Sequence, residues 1–235
     1  MNHRRSAWLI PELRLDFTHP VNRVDPKSLT EMDFTIARSI LDTTRFIATT
    51  HIQTVVLSSV SPAFLVHPPM ALAWQILRLP WASIPKIFWL DHQANKIIYK
   101  KGELSPDERI LMTRMLIEDR LPDLFTFRDA SVCLVEEARR TGLKIHRITE
   151  VFKALGFTHF SAAAFATSDQ HMENEFPFPS NYYSALYNDA VAEFLLNFAD
   201  DLSYRYRIEH QVPDEYYRWL DRCHLAMRLI QAEQN

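Results

Sequence analysis

The chain has 235 residues, 47% of them hydrophobic and 23% charged, with a formal net charge of −3. That composition supplies a sizeable core for one large domain or two small ones, and no apolar run approaches the roughly 18 residues of a bilayer span. A soluble protein with no membrane partner is expected. Two isolated cysteines, Cys133 and Cys223, exclude a disulfide scaffold and predict free thiols in a reducing cytoplasm.

In chain order, the opening MNHRRSAWLIPELRLDF has only a short apolar stretch before Pro11, which gives neither a signal peptide nor an anchor. Ser28 to Glu31 reads as a capping box, and Met32, Ile36, Ile40 and Ile47 then recur at helical spacing to about His51. VVLSSVSPAFLVHPP is apolar and broken by prolines, and MALAWQILRLP predicts a short buried helix ended by Pro80. KIFWLD and KIIYKK are β-prone runs flanking His92 to Asn95, so a hairpin over 86–101 is expected. Ser105-Pro106-Asp107-Glu108 is a second capping box, opening a helix with Ile110, Leu111, Met115 and Leu116 toward a core until Pro122.

Residues 134–157, LVEEARRTGLKIHRITEVFKALGF, carry the pattern of a helix-turn-helix. Ala138 is the small residue at the helix crossing, Gly142 opens a left-handed turn, and Ile148 and Val151 hold the second helix on the first. The two helices are expected at Asp129 to Arg140 and Ile145 to Leu155. Arg139, Arg140, Lys144, Arg147 and Lys153 oppose the single acid Glu150 between Ala138 and Phe160, a local balance of +4 with His146 and His159 in addition. Such a basic patch fits phosphate contact even on an acidic chain. The DNA-binding candidates are Arg139, Arg140, Lys144, His146, Arg147 and Lys153.

Beyond this point HFSAAAFATSD fits a helix or a buried strand equally. From Asn181 the spacing of Tyr183, Tyr187, Phe194 and Phe198 predicts a long amphipathic helix, and Pro213 starts a last one through Tyr216, Leu220 and Met227. Asp169 to Glu215 holds ten acids against Arg205 and Arg207, a net of −8, which a phosphate backbone repels. That surface therefore points to protein contact, with Tyr183, Tyr187, Phe194 and Phe198 as the partner-binding candidates. A second reading is the solvated side of two helices.

No H-x-x-x-H, H-E-x-x-H or E-x-x-H spacing occurs, and the nearest cluster, His171, Glu173 and Glu175, reads as a solvated loop, so no metal site is expected. Three glycines, at 102, 142 and 156, exclude G-x-G-x-x-G and G-x-x-x-x-G-K loops, and no nucleophile elbow is present. No catalytic residue and no cofactor are expected. Asp200-Asp201 would serve acid–base chemistry only if buried together.

The segment Thr141 to Leu155, through Thr141, Leu143, Arg147, Ile148, Phe152 and Lys153, resembles the turn and recognition helix of FlhC-type transcriptional activators. Phe176 to Tyr183, FPFPSNYY, is similar to the lead-in to the family's next helix, while the family's four-cysteine zinc site has no counterpart. The expectation is a mainly α fold with a small β-hairpin and a helix-turn-helix in the second half. Three parts are expected: a helical module over 1–104, the helix-turn-helix over 105–165, and an acidic helical region over 166–235. The expected function is a DNA-binding transcriptional regulator, bound to double-stranded DNA and working as a homo- or hetero-oligomer. The alternative is a non-enzymatic helical adaptor whose hairpin is merely packed.

Overall fold

A computed structural model of the chain describes residues 24–90, 97–98, 104–168, 181–209 and 212–234. Its centre is a parallel sheet of five strands: β1 (Thr54–Leu57), β2 (Lys86–Trp89), β3 (Ser131–Arg139), β4 (His159–Thr167) and β5 (Tyr182–Ser184). They lie in the order β2-β1-β3-β4-β5, every neighbouring pair parallel. The described helices are α1 (Glu31–Thr49), α2 (Val60–Leu65), α3 (His67–Ile76), α4 (Pro106–Arg120), α5 (Leu143–Ala154), α6 (Asp189–Glu209) and α7 (Asp214–Glu233).

The architecture is therefore α/β, and the expected mainly α fold is corrected. The first half of the supposed helix-turn-helix is β3, so residues 131–154 form a strand, a turn and a helix. The reason is burial on both faces. Residues 132–139 of β3 are all buried, and so are 160–167 of β4, which removes the polar–apolar alternation that marks a half-exposed strand. Without alternation, SVCLVEEAR and HFSAAAFAT fit a buried helix as well as a central strand. The expected hairpin is corrected too: its first arm is β2, paired in parallel with β1 from Thr54↔Lys86 to Leu57↔Trp89. Of its second arm only Ile97 and Ile98 are described, and they are helical.

Side chains alternate between two cores that sandwich the sheet. Val55, Leu57, Cys133, Val135 and Phe165 face α1, α2, α3, α6 and α7, with Ile40, Phe64, Trp74, Leu195 and Met227 among their neighbours. Val56, Val132, Leu134 and Ala162 face α4 and α5, meeting Ile117, Ile148, Val151 and Phe152. Both cysteines are buried thiols pushed up, to about 12 for Cys133, by loss of solvation.

The helix starts follow local chemistry. At α4, Ser105 and Glu108 form the anticipated capping box with Pro106 in the first turn. At α1 the box lies two residues beyond the anticipated one: the Asp33 amide donates to Thr30 Oγ1 at 3.4 Å, and the Thr30 amide donates to Asp33 Oδ2 at 2.6 Å. The buried residues of α4 are Thr113 and Ile117; Ile110 and Leu116 pack against the core as expected, whereas Leu111 and Met115 are exposed, contrary to expectation. Among the described residues no helix is long and apolar enough to cross a membrane. His171 to Glu175 and Phe176 to Ser180 lie outside the described residues.

Candidate functional site at the carboxyl ends of the strands

In this strand order the chain leaves β1 toward β2 on one side and returns to β3 on the other. The crevice between their carboxyl ends is the topological switch point, where open α/β sheets place ligands. Two segments meet there: Leu57 to Ser61 after β1, and Glu136 to Lys144, spanning the end of β3, its turn and the start of α5.

Gly142 makes the turn. Its φ of 73° is left-handed, and a Cβ there would run into the Arg139 guanidinium. The predicted left-handed glycine is present, but the chain enters it from a strand. Beyond it, the second helical residue, Lys144, turns back over the end of β3. Its Nζ donates to Glu136 Oε2 at 2.6 Å and to Ser59 Oγ at 3.4 Å.

Glu136 and Glu137 are the unexpected residues. They are 1% and 3% exposed inside the sheet, and consecutive strand positions send them to opposite faces. Ser61 hydrogen-bonds the Glu137 carboxyl. Even so, Glu136 Oε1, Glu137 Oε2 and the buried Ser58 Oγ have no hydrogen-bond partner among the described residues. A buried polar atom without a partner costs about 1–3 kcal/mol, more when charged, so a carboxylate pair here is a poor choice for stability alone. Burial pushes the Glu137 carboxyl up to about 7, with Lys144 opposing and Glu136 reinforcing the shift. Burial also works against the Lys144 ammonium, but Glu136 and Glu137, with a smaller contribution from Asp200 on α6, outweigh it and raise its pKa.

A second polar group flanks the crevice at β4 and β5. Thr167 Oγ1 lies 2.7 Å from both Tyr182 Oη and Ser184 Oγ, and Ser168 Oγ donates to Asp189 Oδ1. Arg139 joins this group to the turn: it is 6% exposed, with its guanidinium 5.2 Å from the centre of the Tyr182 ring.

The sequence-derived DNA candidates are thus divided. Arg139, Arg140 and Lys144 sit at the carboxyl end of the sheet, the first two on β3 and its turn. Arg139 is buried, Lys144 is engaged with Glu136, and exposed Arg140 lies 3.9 Å from Glu193. His146 Nε2 lies 3.4 Å from Glu150, and Arg147 is half-buried. Lys153 is exposed in the last turn of α5, about 14 Å along the axis from Lys144.

Of the partner-surface candidates, Tyr183 stacks on Phe46 at 4.2 Å and Phe198 packs 5.5 Å from Trp219. Tyr187 and Phe194 are exposed. Glu136, Glu137, Ser59 and Ser61 escaped sequence reading. The available signal was two acids closing an apolar run, three residues short of a Thr-Gly turn.

No protein-family model matches the chain, and no curated protein is significantly similar to it. Solved structures similar to it include HPRTs mutated at an invariant aspartic acid. The glutamic acid mutant aligns at 13% identity with a TM-score of 0.44, covering 68% of this chain and 80% of that one. The glutamine mutant aligns at 10% identity and 0.42, over 68% and 80%, and the alanine mutant at 10% and 0.40, over 67% and 77%.

Proposed function

We propose that this chain binds a small phosphorylated polyol, of the sugar-phosphate class, at the carboxyl ends of β1 and β3. The observation that carries the reading is the pair of buried carboxylates at the switch point, each with an oxygen left without a partner. Unpartnered oxygens call for a ligand with hydrogen-bonding groups, and sugar hydroxyls are neutral groups that both donate and accept, so they can meet the Glu136 carboxylate and the Glu137 carboxyl in either protonation state. The anionic end of the ligand finds the first-turn amides of α5 beyond Gly142, where the helix dipole favours negative charge, with Arg140 and Lys144 nearby.

The test is calorimetric titration of the full chain with ribose 5-phosphate, ribose and inorganic phosphate. Ribose 5-phosphate is expected to bind tighter than either fragment, and Glu136→Gln with Glu137→Gln to weaken it about tenfold or more. Equal binding to the wild type and the double variant refutes the reading.

A second reading, proton transfer by Glu137 in a reaction of the same ligand, is favoured by one observation. Burial places its carboxyl at about 7, where an acid–base group works best near neutral pH. The DNA-binding regulator and the adaptor have no comparable support. Their candidate head is a strand and a helix, and Arg139 and Lys144 turn inward.

A further inference from the structure

We infer that Lys144 is the site's resident cation, standing where a divalent metal ion would otherwise neutralise Glu136 and Glu137, so that the site takes its ligand without a metal. This rests on the sugar-phosphate reading for the identity of the ligand, but not for the role of the lysine. Adjacent carboxylates beside a phosphate-binding turn are the usual setting for Mg²⁺, which needs only one or two protein carboxylates and fills its remaining positions with water and phosphate oxygens. Here the ammonium holds that ground. Nζ is 2.6 Å from Glu136 Oε2 and 3.4 Å from Ser59 Oγ, and it feels the charges of Glu137 and Asp200.

The placement is built into the backbone. Gly142 starts α5 immediately after the β3 turn, so the second helical residue overhangs the end of the strand that carries both glutamates. The free oxygens, Glu136 Oε1 and Glu137 Oε2, then remain for ligand hydroxyls, since the lysine takes the other oxygen of Glu136. An ammonium is a point charge with three donors, able to meet a carboxylate and a phosphate oxygen at once, which is the bridging that a metal ion supplies elsewhere.

The experiment has two arms. In the first, ribose 5-phosphate is titrated into the full-length wild type in excess EDTA and in millimolar MgCl₂, and the two affinities are expected to agree within about twofold, because no metal bridges ligand and protein. Affinity that rises about tenfold or more with Mg²⁺ overturns the inference. In the second, thermal melting is followed with and without MnCl₂ and needs no organic ligand. The wild type is expected to show no Mn²⁺-dependent shift, whereas Lys144→Ala, with its carboxylates bared, gains about 3 °C or more. A wild-type Mn²⁺ stabilisation that disappears in Glu136→Gln overturns the inference, as does a folded Lys144→Ala that ignores Mn²⁺. The wild-type measurements stand even if Lys144→Ala does not fold. Failure of ribose 5-phosphate to bind under any condition overturns the choice of ligand, and the Mn²⁺ arm still decides the lysine.

Discussion

Glu137→Gln isolates the charge of one buried carboxyl while keeping its shape and its capacity to accept from Ser61. In the folded chain that carboxyl holds its proton up to about pH 7, against an ordinary value of 4.5. Below pH 4.5 it is protonated in both folded and unfolded chains and contributes nothing to the pH dependence. Between pH 4.5 and 7 the unfolded chain releases the proton and the folded chain keeps it, so the folded state binds more protons and its stability falls as pH rises. The loss is complete above pH 7. At 1.36 kcal/mol per pKa unit, that interval corresponds to about 3 kcal/mol.

The glutamine has no proton to lose, so the stability of the variant relative to wild type should climb by about 3 kcal/mol between pH 4.5 and 8. Urea unfolding of both proteins across that range measures it. Buried His67, pushed down to about 4 by loss of solvation, weakens the fold as pH falls from 6.5 toward 4, but equally in both proteins, so it cancels in the difference. A difference constant with pH, or one that moves the other way, refutes the reasoning, because it requires Glu137 to be ionised and satisfied inside the fold.

Three further outcomes are expected. Lys144→Met leaves Glu136 buried without its counter-charge and should cost about 2–4 kcal/mol, with a double-mutant cycle against Glu136→Gln showing coupling of at least about 1 kcal/mol in urea denaturation. Gly142→Ala places a Cβ at a left-handed φ and against Arg139, so a loss of about 1–2 kcal/mol should appear in thermal melting, larger for Gly142→Val. Phe198→Asp should destabilise the monomer by about 3 kcal/mol, because Phe198 packs on Trp219, whereas exposed Phe194→Asp should leave melting within about 0.5 kcal/mol. Sedimentation of the Phe194 variant then reports on assembly alone, and a wild type and variant of equal mass would remove Phe194 from any partner surface.

Several helix positions and ends were legible in the sequence because their causes are local, but the helix expected from Asn181 begins only at Asp189, since Tyr182–Ser184 are drawn into the sheet as β5. The Ser105–Glu108 box, the lead-in at Pro213, the spacing through Phe194 and Phe198, and the left-handed Gly142 all depend on residues within one or two turns. The box at Thr30 and Asp33 lay two residues from the anticipated one, since Ser, Thr and Asp crowd that segment and any of them can cap. The sheet was not legible. A central parallel strand is apolar on both faces, and its partners are brought by the fold, as Val132 of β3 is brought beside Thr54 of β1. Glu136 and Glu137 read in the sequence as two acids on a helix. They become a candidate site only when β1 and β3 lie side by side and Ser59, 85 residues earlier, meets Lys144. Neighbouring residues alone dictate where the chain can turn and where helices such as those at Pro106 and Asp214 begin. Which buried charges face one another was decided by the tertiary structure, because burial and electrostatic coupling are properties of neighbours in space.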